Sequence, residues 1–173
     1  MEIPKITKKT TIAEAIRLGN SCKKCGKCCT YGSGILTKSD ITFMARKLKL
    51  TEEGLKKTSL EPIKKFNTTL YRPLTIKKGK PYGTCIFYNK KKGCLIHEVK
   101  PLQCKIASCK EHSEDLMVWF DLNYFVNPND PISIREWKLY LDSGGKNIPG
   151  GKLKELVPDK EKLKKMLNYE VLK

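Results

Sequence analysis

Four of the chain's eight cysteines fall within eight residues, Cys22-Lys23-Lys24-Cys25-Gly26-Lys27-Cys28-Cys29. No other stretch restricts the fold as much. A run in which Cys and Lys are interspersed has no apolar period to bury, so packing does not account for these thiols. Disulfides among them are poor geometry as well, because a bridge needs Cα atoms about 4.4–6.8 Å apart with converging Cβ vectors, and the adjacent Cys28 and Cys29 are expected to point apart. Metal ligation suits the pattern. In Cys22-x2-Cys25-Gly26 a tight turn would bring two sulfurs onto one ion, with glycine taking a backbone conformation that other residues resist.

The spacing of Cys22, Cys25 and Cys28 is the one with which bacterial 4Fe-4S sites begin, but their fourth ligand, after x3 and before a proline, is missing here. The pattern therefore predicts metal without choosing it. Were the run one helix, Cys22, Cys25 and Cys29 would share a face and Cys28 would sit about 100° from Cys29, so the adjacent pair could serve different sites.

The charge is distributed unevenly. Residues 1–110 hold 25 basic side chains against 7 acidic ones, +18, and residues 111–173 hold 10 against 11. Eight thiolates would offset much of the first figure, and Lys23, Lys24, Lys27, Lys105 and Lys110, each a few residues from a cysteine, would lower thiol pKa values. Of the 35 basic residues only Arg17, Arg46, Arg72 and Arg135 are arginine, which argues against a surface built for bidentate phosphate recognition. The Lys-rich bias is also that of hyperthermophile proteins, whose cells tolerate intracellular disulfides, so oxidation is the minor rival to metal. Met1 to Lys9 is basic with no apolar region after it, and no apolar stretch approaches the roughly 20 residues of a membrane span. A reduced cytoplasm and no membrane partner are the expectation.

In chain order, Thr11 and Glu14 form a capping-box pattern for a helix ending at Gly19-Asn20, which delivers the chain into the cysteine run. Tyr31 to Gly34 reads as a loop whose glycines serve only turns. Ser39-Asp40 is expected to cap a helix with the core stripe Ile41, Met44, Ala45 and Leu48. A second helix should run from Thr51 to about Thr58, with Glu61-Pro62 as an interruption. Extended segments are expected at Thr69–Ile76 and Tyr82–Tyr88, and Lys90 to Lys92 reads as a solvated turn. The most apolar stretch, Leu116–Val126, is expected to be a long or bent strand, with a helix as the alternative at this length. Ser133 and Glu136 should cap a helix ending at Ser143-Gly144, and an amphipathic helix over Asp159–Leu172 should dock on the domain. This gives a basic leader over residues 1–9, a cysteine-cluster domain over 10–145, and a linker with a C-terminal helix over 146–173. The fold class is α+β: a small metal-organised domain with short helices and a few short strands.

The second cysteine group is Cys85, Cys94, Cys104 and Cys109. Its spacing alone is not diagnostic, yet four more thiols beside turns strengthen the metal reading. Neither group has a hydrophobic shell of its own, so the two should converge in space. His97 completes Cys94-x2-His97, an acceptable ligand spacing, though a histidine beside Ile96 is more often a packed one. His112 reads as a surface residue.

Taken together, Cys22-x2-Cys25-Gly26-x-Cys28-Cys29, Cys85-Ile86-Phe87, Cys94-x-Ile96 and Lys100-Pro101-x2-Cys104-Lys105 resemble the YkgJ-like family of zinc- or iron-chelating domains, whose signature is CxxCxxCC. Leu36-Thr37-x2-Asp40-Ile41 resembles it too. His97 stands where that family usually has Tyr and Lys100 where it usually has Arg, and Cys109 lies outside the matched signature. The resemblance implies metal chelation by Cys22, Cys25, Cys28, Cys29, Cys85, Cys94 and Cys104, and implies no activity. With Cys109 added as the eighth candidate, the expected cofactor is an iron-sulfur cluster, of 4Fe-4S type, or zinc. Two other readings compete. One is a cluster-dependent redox or methyl-transfer enzyme, motivated by the related flagellin lysine N-methylases, although no Gly-rich strand-to-helix turn for S-adenosylmethionine is visible. The other is a basic zinc-ribbon-like nucleic-acid-binding module, motivated by the +18 segment.

Overall fold

The computed structural model describes residues 5–20, 22–107, 109 and 111–170. Helices and short antiparallel strands make up an α+β domain. Helix α1 (Ile12–Gly19) starts at the expected capping box, with Glu14 N–H donating to Thr11 Oγ1 and Thr11 N–H to Glu14 Oε2. Its last residue is pinned: a Cβ on Gly19 would lie 2.4 Å from the carbonyl oxygen of Ile106. The chain enters the cysteine run from this fixed point.

Helix α2 (Lys27–Tyr31) is short, and α3 (Lys38–Leu48) follows. The cap of α3 is Thr37, not Ser39, and Asp40 is the third residue of the box. A buried Asp serves there because its carboxylate reaches a second helix. Oδ2 accepts from Thr37 N–H (2.8 Å), Thr37 Oγ1–H (2.9 Å) and Leu102 N–H (2.9 Å). Helix α4 (Glu52–Ser59) leads into a hairpin, β1 (Leu60–Lys65) and β2 (Thr68–Pro73). Strand β1 is a correction to the interruption expected at Glu61-Pro62. A two-stranded ribbon has only edge strands, where proline is tolerated, and Pro62 pairs with Tyr71. The turn residues Phe66 and Asn67 both have positive φ, 47° and 57°, as a two-residue hairpin loop requires.

Four two-residue strands follow, β3 (Thr75–Ile76), β4 (Thr84–Cys85), β5 (Tyr88–Asn89) and β6 (Gly93–Cys94), pairing β3 with β4 and β5 with β6. The extended segment expected at Thr69–Ile76 is strand apart from Leu74, whereas the one expected at Tyr82–Tyr88 is broken by a turn at Ile86-Phe87. After a 3-10 turn at His97–Val99 comes α5 (Leu102–Ile106).

Leu116–Val126 is not a strand. It forms α6 (Ser113–Phe120), continued by a π-helical turn at Asp121–Phe125. Leu116, Val118, Trp119, Phe120, Leu122 and Phe125 are all buried, and a helix buried on most of its faces shows no 3.6-residue period to read. The two polar breaks are absorbed: Asp121 pairs with Lys65, and Asn123 Nδ2 donates to Trp119 O (2.8 Å). Helix α7 (Pro131–Asp142) is capped by Asp130, with Pro131 at its first position, and not by Ser133. Ser133 is inside the helix, buried, and accepts from Asn127 N–H (2.8 Å). The short α8 (Leu153–Leu156) and α9 (Lys160–Leu167) close the fold. Helix α9 is shorter than expected and docks through the fully buried Met166, whose carbonyl accepts from Arg135 (2.7 Å); Val171 and Leu172 lie outside the described residues.

The main core surrounds Trp119, Trp137, Phe120 and Phe125 and takes in Ile6 from the N-terminal segment, where Lys8 N–H also donates to Pro149 O (2.8 Å). A smaller core of Leu36, Ile41, Met44, Ala45, Leu55, Leu60 and Ile96 is the one nearest the cysteines, and Phe87 and Cys94 pack against it. No helix among the described residues is long and apolar enough to cross a membrane.

Candidate metal centre

The CxxC half of the first cysteine group is irregular backbone. Lys24 (φ 56°) and Gly26 (φ 75°) are both left-handed, and Gly26 is the N-cap of α2, which carries Cys28 and Cys29. The run is therefore not the single helix that would have aligned Cys22, Cys25 and Cys29. Gly26 is needed twice over, since a Cβ there would also lie 2.2 Å from the hydroxyl of Tyr88 on β5. The knuckle is seated on the hairpin that carries Cys94.

Cys85 and Cys94 occupy equivalent places, each the last residue of a two-residue strand and followed by a two-residue turn. In each, the residue two positions on does two jobs. Phe87 N–H donates to the Cys85 sulfur and Ile96 N–H to the Cys94 sulfur, while both side chains pack in the smaller core. Burying a side chain of this size contributes about 1.5–3 kcal/mol, enough to hold the turn against the core. Cys104 sits on α5, whose Leu102 and Ile106 face the main core. Its thiol lies against bare backbone: a Cβ on Gly34 would be 2.3 Å from Cys104 Sγ, and Gly34 N–H donates to that sulfur. Gln103 Oε1, accepting from Ile35 N–H (2.9 Å), fixes the same crossing.

The two groups meet. Burial first, then the charges of Cys28, Cys94 and Cys85, push the Cys29 thiol up to about 12. Burial and the charges of Cys85, Cys29 and Cys94 likewise push Cys104 up to about 12, against the opposing Gly34 N–H. Cys85 is raised by burial and by Cys94 and Cys28, and Cys94 by burial and by Cys22 and Cys28, with Lys100 pulling the other way. Six thiols, those of Cys22, Cys28, Cys29, Cys85, Cys94 and Cys104, thus lie within electrostatic reach of one another. Cys28 and Cys29 are consecutive residues of α2, and a charge on Cys28 is felt by the Cys29 thiol. Cys22, Cys25, Cys28 and Cys109 are exposed, and of these Cys25 and Cys109 do not contribute to the shifts of Cys29, Cys85, Cys94 and Cys104. Lys110 lies outside the described residues. Among the described residues no group of three or more His, Cys, Asp or Glu side chains is placed closely enough to hold a metal ion as it stands.

The donor set fits a thiophilic metal. Buried and half-buried thiols that repel one another as anions, with backbone N–H groups aimed at three of the sulfurs, are favoured as thiolates only when a cation supplies the missing charge. Hard oxygen ligands are not gathered here, whereas soft sulfur is the ligand of zinc and of iron-sulfur clusters. Fold and site define a cysteine-thiolate metal-chelating domain.

Comparison with protein families agrees. The CxxCxxCC family model, described as "Putative zinc- or iron-chelating domain", matches residues 21–122, and the chain belongs to that family. No curated protein and no solved structure matches the chain significantly.

The roles of Gly34 and Tyr88 are not legible in the sequence, where Gly34 reads only as a turn. No local pattern marks a glycine whose bare Cα makes room for a thiol 70 positions on. The recurrence of Cys-x-(Phe/Ile) at Cys85-Ile86-Phe87 and Cys94-Leu95-Ile96 was the available signal for the sulfur-facing N–H groups.

Proposed function

We propose that the chain holds an iron-sulfur cluster, or failing that zinc, in a single centre shared by its two cysteine groups. Cys29, Cys85, Cys94 and Cys104 form its inner floor, and Cys28 and Cys22 border it. Cys25 and Cys109 complete the candidate set from the exposed side. The observation that carries this reading is the three backbone N–H groups, of Phe87, Ile96 and Gly34, directed at sulfurs that burial and mutual repulsion would otherwise keep protonated. Six thiols exceed the four that one structural zinc takes, which favours a cluster with thiols to spare. Bound metal would supply the charge that turns these thiols into thiolates and would join α2, the β4 to β6 turns and α5 into one unit. Apparent binding free energies for structural zinc run at about 10–16 kcal/mol, as large as the stability of a whole domain.

The test is anaerobic purification followed by metal and acid-labile sulfide analysis with an absorption spectrum. Iron, sulfide and broad absorbance near about 400 nm select the cluster, and colourless protein with stoichiometric zinc selects zinc. Protein that takes up neither metal after anaerobic reconstitution would sink the reading.

A further inference from the structure

His97 opens the 3-10 turn that follows the Cys94 turn, directly after Ile96, which is locked in the smaller core. Its Nε2 is the one buried side-chain nitrogen or oxygen among the described residues that has no hydrogen-bond partner. A packed structural imidazole would have a carbonyl, hydroxyl or carboxylate at this atom. Leaving a buried nitrogen without one is destabilising, and a fold retains it when something else meets that atom.

Its surroundings narrow what that something is. The charge of Lys24, between Cys22 and Cys25, falls on the His97 ring, and the charge of Lys100 falls on both His97 and Cys94. The Cys94 thiol in turn feels Cys22. The ring thus lies within reach of charges on both the CxxC knuckle and the segment that follows the Cys94 turn. Burial first, then the ammonium groups of Lys100 and Lys24, favour the neutral imidazole against the opposing Glu98 carboxylate, and the neutral form offers a lone pair.

We infer that His97 Nε2 is a nitrogen ligand of the metal centre, taken up beside Cys22 and Cys94. This rests on the thiolate centre proposed above and adds to it a mixed sulfur and nitrogen donor set. A neutral imidazole in place of a fifth or sixth thiolate lowers the negative charge of the loaded site, which for an iron-sulfur centre raises the reduction potential, as it does where two histidines replace cysteines on one iron.

The experiment uses the full chain loaded anaerobically with Zn2+, or with Fe2+ and sulfide, and reads the metal-edge X-ray absorption spectrum and the rate of metal loss to a chelator. The expected result is a sulfur shell with an imidazole contribution that disappears in His97→Ala. Metal loss should be tenfold or more faster in both His97→Ala and His97→Gln, and added imidazole should restore retention in His97→Ala. His97→Phe should melt no lower than the wild-type chain when metal-free, because it removes an unpaired buried nitrogen. An all-sulfur spectrum in the loaded wild type overturns the inference while leaving the thiolate centre standing. So does full retention in His97→Gln beside loss in His97→Ala, which would make the ring a hydrogen-bond donor to sulfur. Wild-type protein that binds neither metal overturns both.

Discussion

Replacing Gly34 by alanine tests the Cys104 environment with one methyl group. The new Cβ would lie 2.3 Å from Cys104 Sγ and 3.0 Å from Cys104 N, whereas non-bonded contacts of this kind settle at about 3.5–4.0 Å. The segment before α3, or α5 itself, must therefore retreat by more than about 1 Å. Neither can yield freely, since α5 is pinned at Gly19 and by Gln103, and Leu102 N–H is bound to Asp40. Overpacking of this sort costs about 1–3 kcal/mol. Separating Gly34 N–H from the sulfur removes a hydrogen bond to a charged acceptor, about 1 kcal/mol or more. Together these give about 2–4 kcal/mol, so metal affinity measured against a chromophoric chelator should fall about 30- to 700-fold if the cost lies in the loaded state. The metal-free melting temperature separates that loss from general destabilisation. Gly32→Ala is the control, since its Cβ meets nothing within 4 Å and its backbone is extended. Gly34→Ala that binds metal within about threefold of wild type, with Gly32→Ala as reference, would refute the placement of Cys104 at the centre.

Among single replacements, Cys85→Ser and Cys104→Ser should lose bound metal and lower the melting temperature of the loaded protein, and Cys109→Ser should keep most of both; equal loss in all three would make Cys109 a full ligand. Asp40→Ala should cost about 2–3 kcal/mol, or about 4–12 °C of melting temperature, because it frees the cap of α3 and the N–H of Leu102 together, and a change below about 1 °C would contradict the network. The metal-free protein should lose stability in alkali. Cys29 and Cys104 titrate near about 12 in the folded state, against about 8.5 for unfolded thiols. Their protonated forms thus favour the fold fully below about pH 8.5, and that contribution is lost as pH rises toward 12. Thermal melts at pH 8 and 10.5 should show the fall, and a flat profile would count against the burial of these two thiols.

Much of the site's chemistry was legible in the sequence. The eight thiols, the Gly26 knuckle and the caps of α1 and α4 are local features, and local features survive folding with little change. What failed to read was set by distant partners. Leu116–Val126 looks like a strand because Asp121 and Asn123 break its apolar run, yet Lys65 from β1 and a carbonyl one helical turn back make both polar groups acceptable in a buried helix. The caps were misplaced by two or three residues at Thr37 and Asp130 for the same kind of reason, since Asp40 is recruited by α5 and Ser133 by the backbone of Asn127. The convergence of the two cysteine groups followed from the absence of a separate core for either. The division between buried and exposed thiols did not, because it depends on which turn residues, Phe87 and Ile96, reach the smaller core.

The central claim is that the two cysteine groups share one centre, and metal stoichiometry in a variant lacking half of it is the most direct measurement. Iron, zinc and acid-labile sulfide per chain would be determined anaerobically for the wild type and for Cys85→Ser/Cys104→Ser, which leaves the Cys22 to Cys29 run intact. A shared centre predicts loss of essentially all bound metal in the double variant. Retention of a stoichiometric fraction on the remaining run, about half of the wild-type content for two equal sites, would show two independent sites and contradict the account.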